Sequence, residues 1–165
     1  MDSPDVSPKK LRARPETRPL PAVAAVFSLP VRVYYQDTDA GGVVFHATYL
    51  DFFERARTEW LRHLGFDVRR LADADGILFI VRELRVAYAR PAQLDDLLTV
   101  TVSVQHLGRA QFTLAQQVLR GADLLASASI NLACITVETF KPARVPDPLR
   151  AALLVEERAH NQEHA

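Results

Sequence analysis

Residues 31–62 read VRVYYQDTDAGGVVFHATYLDFFERARTEWLR, and the change of pattern within them decides the fold. At their start, Leu29–Gln36 is rich in valine and tyrosine, which predicts a β-strand. From Thr48 to Leu64 the apolar residues recur every three or four positions, with charged residues between them. This period is that of a long amphipathic helix, closed by Gly65. Its apolar face is formed by Tyr49, Phe53, Ala56, Trp60 and Leu64.

The rest of the chain is dominated by strand patterns. A second, short helix is predicted at about residues 67–74. Residues 100–104 alternate valine with threonine or serine, which is the period of a strand with one buried face. Gly108 and Gly121 mark short connections, so neighbouring strands are expected to be antiparallel. The predicted strands after the helices cover residues 77–90, 100–104, 112–118 and 124–137.

These elements place the chain in the α+β class, with one long helix packed on an antiparallel sheet of about five strands. Such a sheet leaves edges and a helix face that need partners, so we expect an oligomer. With 165 residues the chain fits one domain, which we place at residues 28–148. Five of the ten prolines lie in the first 21 residues among basic side chains, which predicts a disordered tail over residues 1–27. Residues 149–165 are expected to form a C-terminal extension.

The composition narrows the function classes. Twenty basic and twenty acidic side chains cancel, which argues against a dedicated nucleic-acid binder. Cys134 is the only cysteine and no Cys/His cluster has zinc-site spacing, so we expect neither an intrachain disulfide nor a metal. The uncharged run at residues 19–31 is too short and too rich in proline to span a bilayer, so we expect no transmembrane segment. These observations favour a protein of the reducing cytoplasm.

The most unusual segment is DTDAGGVVFH, residues 37–46, at the junction of the strand and the helix. A calcium loop starting at Asp37 would need an oxygen ligand at Gly41 and a glutamate at Thr48, so that match fails. A phosphatase loop of the D-x-D-x-[TV] type fails because Gly41 stands where threonine or valine is expected. A purely structural interpretation stays open, in which Asp37 and Asp39 cap a turn and the glycines allow positive φ.

A functional interpretation uses the start of the helix. Unpaired N–H groups there, at the positive end of the helix dipole, stabilise negative charge that develops on a carbonyl oxygen. Gly41 and Gly42 let a ligand approach the backbone, and a nearby carboxylate can serve as a general base for water or as a nucleophile. Thr48 and Asp51, three residues apart, resemble a capping box, with the alternative that the chain before Thr48 already enters the helix. These groups suit acyl transfer without a serine or cysteine nucleophile, because no nucleophile elbow is present and Cys134 lies in an apolar strand that predicts a core position.

The quoted segment resembles the hallmark of hotdog-fold acyl-CoA thioesterases, in the Tol–Pal-associated, 4-hydroxybenzoyl-CoA-thioesterase-like branch. The likeness covers residues 30–148 and continues through FIVRELRVAYARPAQLDDLLTV at 79–100 and INLACITVETFKPARVP at 130–146. It implies the hotdog fold, in which an antiparallel sheet wraps around one long helix. It also implies hydrolysis of acyl-CoA, with short aliphatic acyl groups favoured and with no cofactor, because CoA is part of the substrate.

The resemblance assigns roles to residues of the junction. It implies that Asp39 is catalytic and that the backbone N–H of His46 polarises the thioester carbonyl. The His46 imidazole either helps to position water or substrate or has a structural role in the loop. Tyr49 ends the motif and contacts substrate or packs in the core, since it lies on the apolar face of the helix. Val44 either shapes an acyl pocket or belongs to the core.

The resemblance also implies a site for the nucleotide of CoA and a set of partners. Arg109, in the turn after the third strand, aligns with an arginine that holds the nucleotide in the hydroxybenzoyl branch, and Lys141 and Arg144 are further candidates. All three are equally explained as solvated ends of strands, and the dense basic cluster of that branch is lacking around Arg109. The implied partners are acyl-CoA, further copies of the chain in a homodimer or homotetramer, and the Tol–Pal system or an acyl-carrier protein. The alternative is a non-enzymatic hotdog accessory protein of the Tol–Pal system or an acyl-carrier-interacting scaffold.

Overall fold

The computed structural model describes residues 26–163. Within that range the chain folds into one sheet and three α-helices, and a 3₁₀ turn at Tyr35–Asp37 precedes the first helix. In chain order the elements are β1 (Phe27–Arg32), α1 (Thr48–His63), α2 (Val68–Asp75), β2 (Ile77–Tyr88), β3 (Leu97–Leu107), β4 (Gln111–Arg120), β5 (Asp123–Thr136) and α3 (Asp147–Glu163).

The sheet confirms the predicted fold class. Its strand order is β1-β3-β4-β5-β2, and every neighbouring pair is antiparallel. The tight turns at Gly108 and Gly121 join β3 to β4 and β4 to β5, as expected from short connections. The two edges of the sheet are formed by β1 and β2, which flank the connection that carries α1. This is the α+β arrangement of a five-stranded antiparallel sheet with one long helix.

The core lies between α1 and the sheet. The alternation in β3 places one face of the strand inward, and α1 packs against β1 and β3. Both periods predicted from the sequence are therefore confirmed, the two-residue period of β3 and the helical period of α1. The fully or almost fully buried side chains are Leu98, Val100, Val102 and Val104 in β3 and Tyr49, Phe52, Phe53, Ala56 and Trp60 in α1.

A buried polar contact fixes α1 to the middle of the sheet. Gln116 of β4 is 1% exposed, and its Nε2 donates to the carbonyl oxygen of Phe53 at 3.1 Å. The Oε1 of the same side chain accepts from Arg57 Nη1 at 3.0 Å. Burial lowers the pKa of the Arg57 guanidinium from its ordinary value. Because this amide links two turns of α1 to β4, it sets where the start of α1 lies relative to the sheet.

The structure corrects two details of the entry into α1. The first strand, predicted at Leu29–Gln36, ends at Arg32, because the next residues leave the sheet and turn so that Asp37 Oδ2 accepts from the backbone N–H of Tyr34 at 2.8 Å. The capping box of Thr48 and Asp51 does not form, and the alternative, in which the chain before Thr48 enters the helix, is confirmed. Residue 47 already has helical backbone angles, and no side chain caps the helix start, because the chain enters α1 through a tight turn in which the Thr48 N–H donates to Phe45 O at 2.9 Å.

The C-terminal segment forms a helix that the sequence analysis did not predict. α3 packs against β3, and Leu149 and Leu153 on its inner face are fully buried. Glu157 Oε1 also accepts a hydrogen bond from the backbone N–H of Leu107 at 2.8 Å. Residues from 149 onward, expected to be an extension, thus contribute to the core as far as the structure describes them.

At the other end, residues 1–25 of the expected tail lie outside the described range, and Phe27 begins β1. Between residues 26 and 163, no helix combines the length and the apolar character that crossing a membrane requires.

Candidate active site

The loop between β1 and α1 folds back on itself. Thr38 and Val44 form an antiparallel bridge, and the Phe45 N–H donates to Asp37 O at 2.9 Å. Asp37 itself is buried, and its carboxylate holds the Tyr34 backbone N–H. The structural interpretation is therefore confirmed for Asp37, which closes a turn and is not available to a ligand.

Asp39 lies at the tip of this loop with an exposed carboxylate. Its Oδ1 accepts from the Gly41 N–H at 2.8 Å, while its backbone carbonyl accepts from the Gly42 N–H at 3.0 Å. Glycine is favoured at positions 41 and 42 for two different reasons. A Cβ on Gly41 would stand 3.0 Å from Asp39 Oδ1, whereas Gly42 has φ of +75°, a conformation that favours glycine. The loop thus orients the Asp39 carboxylate through one backbone donor and presents it at the surface of the protomer.

Two unpaired backbone donors lie at the start of α1. The N–H groups of His46 and Ala47 donate no hydrogen bond within residues 26–163. The turn around them is held on both sides, since the Val44 N–H donates to Ala92 O at 2.9 Å and Tyr88 Oη donates to His46 O at 2.7 Å. Free N–H groups at a helix start stabilise an oxyanion. The geometry leaves an unpaired N–H at His46, where the resemblance implies an oxyanion donor, and a second one at Ala47.

A groove runs beside these donors. It is lined by Val44, His46, Tyr49, Tyr88 and residues 89–91. Val44 and Tyr49 are buried and form its floor, with Tyr49 only 2% exposed. The Tyr49 hydroxyl accepts from the Ala92 N–H at 3.0 Å, and burial raises the pKa of this hydroxyl, which keeps it neutral. Tyr49 therefore packs in the core, as one of its two interpretations expects, and it also lines the groove.

The three basic candidates lie at the other end of the sheet in the same protomer. Arg109 and Lys141 are exposed, and Arg144 is exposed and paired with Asp147, with Nη2 and Oδ1 2.8 Å apart. Ala110, next to Arg109, accepts a hydrogen bond from the backbone of residue 134 in β5, whereas Tyr88, which lines the groove, pairs with residue 126 of the same strand. Eight residues at about 3.4 Å each separate these points by roughly 27 Å. One protomer thus carries Asp39 and His46 in the same loop, with His46 but not Asp39 lining the groove, and holds Arg109, Lys141 and Arg144 well away along the strands.

The structure confirms the core position predicted for Cys134. The thiol is fully buried, with Sγ 3.7 Å from the carbonyl oxygen of Arg144. Burial raises the pKa of Cys134 from its ordinary value of 9.0 to about 11, so the thiol is protonated at neutral pH. A group in this state is a poor nucleophile.

Sequence reasoning missed Ala47 and Tyr88. Ala47 could have been found from the helix start itself, because the residues at the beginning of any helix have unpaired N–H groups. Tyr88 is separated from His46 by 42 residues, and it sits at the end of a strand whose pattern marks only its position in the sheet. No local signal points to its contact with the helix start.

Comparison with known proteins identifies the class of protein to which this fold and site belong. Residues 33–153 match the thioesterase-like superfamily, and the chain belongs to it. The acyl-CoA thioesterase YbgC of Haemophilus influenzae is 45% identical over 126 residues, which are 76% of this chain and 93% of that protein. The acyl-CoA thioester hydrolase YbgC of Escherichia coli is 40% identical over 127 residues, covering 76% of this chain and 94% of that protein. The crystal structure of a probable thioesterase from Bartonella henselae superimposes with a TM-score of 0.71 at 42% identity, covering 74% of this chain and 100% of that one.

Proposed function

We propose that this protein hydrolyses acyl-CoA thioesters to CoA and a carboxylic acid, with Asp39 and the helix start as the catalytic groups. The observation that carries the proposal is that one loop contains both an exposed carboxylate and, at the start of α1, unpaired N–H groups. The relatives that bear acyl-CoA thioesterase names support the substrate class. The motif at residues 37–49 supports assigning the protein to the Tol–Pal-associated branch. We also propose that it acts in the cytoplasm.

The chemistry follows from these groups. The thioester carbonyl oxygen accepts from the His46 N–H, which draws electron density away from the carbonyl carbon. If Asp39 is a general base, it takes a proton from a water molecule whose oxygen attacks that carbon. The tetrahedral intermediate then expels the CoA thiolate, which takes up a proton, and the acid is released. If Asp39 is a nucleophile, its oxygen attacks directly, CoA leaves, and water hydrolyses the mixed anhydride.

The groove beside the helix start is the proposed acyl site. Val44 and Tyr49 are buried and line the groove, which supports short acyl groups. Gly41 and Gly42 adjoin Asp39 in the loop before the groove. The imidazole of His46 is exposed and lies against the Phe45 ring, with ring centroids 4.4 Å apart. The exposure of this imidazole supports a role in contacting water or the thioester.

The proposed CoA site involves a second copy of the chain. Arg109, Lys141 and Arg144 lie roughly 27 Å from the groove of their own protomer along the strands. We therefore assign them to the nucleotide of a substrate whose acyl group occupies the groove of another copy, in a homodimer or homotetramer. Ile80 and Val81 on the edge strand β2 are exposed in the protomer, and they are apolar surface that an assembly would cover.

The test is thiol release from a panel of acyl-CoA substrates, with Asp39→Asn as the decisive variant. Asparagine keeps an Oδ1 that accepts from the Gly41 N–H, so the loop should stay in place while the base or nucleophile is lost. We expect kcat to fall by about a hundredfold or more. Asp73→Asn is the matched control, because Asp73 is an exposed acid on α2 whose ion pair within residues 26–163 is with Arg69.

The outcomes separate the possibilities. Near-normal hydrolysis by folded Asp39→Asn protein would remove Asp39 from the mechanism. Wild-type protein that releases no thiol from any acyl-CoA would refute the enzyme and favour the accessory or acyl-carrier-interacting scaffold. A single turnover in ¹⁸O-water tests the two roles of Asp39. Unlabelled acid with the label in Asp39 identifies a nucleophile whose anhydride water opens at the Asp39 carboxyl carbon. Labelled acid with unlabelled Asp39 shows that water attacked the acyl carbon, as it does when Asp39 is a general base.

A further inference from the structure

Tyr88 ends β2 beside the start of α1. It pairs with Ala126 in the sheet and is 50% exposed. Its ring meets the Tyr49 ring edge-on, with centroids 5.4 Å apart, and its Oη donates to the carbonyl oxygen of His46 at 2.7 Å. This distance is that of a good O–H···O hydrogen bond, and the ring contact restricts the side chain that makes it.

The helix itself leaves the His46 carbonyl without a backbone partner. In the first turn of α1 the Thr48 N–H donates to Phe45 O and the Leu50 N–H donates to Ala47 O, both at 2.9 Å. These bonds reach back three residues instead of four, so the turn is tighter than an α-helix and skips the oxygen of His46. No backbone N–H in the described part of the chain donates to that oxygen. The hydroxyl of Tyr88 is the group that satisfies it.

Two anchors therefore hold the segment that carries the free donors. One is the Tyr88 bond to His46 O, which fixes the plane of the His46–Ala47 peptide and hence the direction of the Ala47 N–H. The other is the bond from the Val44 N–H to Ala92 O, and Ala92 is itself held through its N–H by the Tyr49 hydroxyl. The His46 N–H lies between these anchors in the chain, and both anchors belong to residues 88–92.

We propose that Tyr88 is a positioning residue for the oxyanion donors at His46 and Ala47. This role rests on the proposed thioesterase function. It adds a residue whose hydroxyl holds the His46 carbonyl, between the two donor N–H groups. The donors are useful only if they point at the oxygen of the tetrahedral intermediate, and preorganised donors stabilise that state more than the ground state. Loss of the Tyr88 hydroxyl should thus affect the chemical step more than substrate binding.

The experiment removes only the hydroxyl. Tyr88→Phe keeps the ring and its contact with Tyr49, so the protein should fold. We expect kcat to fall by about tenfold with KM changed by less than about twofold, a smaller loss than the 10²- to 10³-fold that removal of a whole donor costs, because the donors remain and only their direction is freed. Tyr35→Phe is the control, since Tyr35 is 82% exposed and its hydroxyl makes no hydrogen bond to residues 26–163.

A spectroscopic measurement distinguishes positioning from a general structural effect. Asp39→Asn protein should bind an acyl-CoA carrying a ¹³C-labelled carbonyl without turning it over appreciably, and donation from the helix start lowers the stretching frequency of that carbonyl. Adding Tyr88→Phe should raise the frequency, whereas adding Tyr35→Phe should leave it unchanged. Unchanged kcat in Tyr88→Phe, or a fall in activity without a change in the carbonyl frequency, would overturn the proposal.

Failure of the proposed function has a different signature. If the wild-type protein releases no thiol from any acyl-CoA, both the function and the role of Tyr88 are refuted. If the wild type is active, Asp39→Asn is inactive and Tyr88→Phe behaves like the wild type, only the role of Tyr88 is refuted.

Discussion

Replacing Gly41 by alanine should displace the Asp39 carboxylate without unfolding the protein. The new Cβ would stand 3.0 Å from Asp39 Oδ1, about 0.4 Å inside an ordinary carbon–oxygen contact. The Asp39 side chain is exposed and moves more easily than the backbone, so it should shift and weaken its bond with the Gly41 N–H. A misplacement of about 1 Å can cost about a hundredfold in rate, so a shift of a few tenths of an ångström should lower kcat/KM by about five- to twentyfold. The assay is thiol release from the best substrate of the acyl-CoA panel.

Gly42→Ala is the matched control, because it should lower stability more than activity, whereas Gly41→Ala should lower activity more than stability. Nothing lies within 4 Å of a Cβ on Gly42, but its φ of +75° is unfavourable for alanine by about 1–2 kcal/mol. Gly42→Ala should therefore lower the free energy of unfolding more than Gly41→Ala, and Gly41→Ala should lower activity at nearly unchanged stability. Wild-type activity in Gly41→Ala, or a loss of activity explained by an equal loss of stability, would contradict the placement of Asp39 in the reaction.

Two further predictions concern the core. Leu153→Ala should lower the free energy of unfolding, measured in urea, by about 2–5 kcal/mol, because Leu153 of α3 is fully buried. Val155→Ala should change it by less than about 0.5 kcal/mol, because Val155 is 65% exposed. Equal effects would mean that α3 does not belong to the folded core. Cys134 should resist a disulfide reagent at pH 8 in the native protein and react after denaturation, since burial holds its thiol protonated. Labelling of the native protein at pH 8 would show instead that the thiol is accessible. Because the pKa of Cys134 is higher in the folded than in the unfolded state, the contribution of this thiol to stability should be complete below pH 9 and should disappear as the pH rises from about 9 to about 11. The Cys134→Ala variant should lack this pH-dependent loss.

Repeating patterns made much of the fold predictable, and single contacts account for what was missed. The helical period of α1 and the alternation of β3 each extend over enough residues that burial determines them. The C-terminal helix was missed because Pro142, Pro146 and Pro148 look like the end of a strand region. Yet Pro148 lies in the first turn of α3, where proline is tolerated, and Leu149 and Leu153 are one helical turn apart. That combination was the available signal.

The site shows where local pattern stops being informative. Free N–H groups at a helix start follow from helix geometry alone, so a donor such as that of Ala47 could be predicted from the position of α1, whereas the donor at His46 is implied only by the resemblance. The direction of that donor depends on how the first turn is tied to the rest of the protein, and the tie at Tyr88 joins residues 42 positions apart. The same holds for the basic residues: sequence order does not reveal that Arg109 and the groove lie at opposite ends of β5. Because catalysis depends on direction and distance as well as on residue type, long-range pairing of strands determines whether the groups of this motif act together.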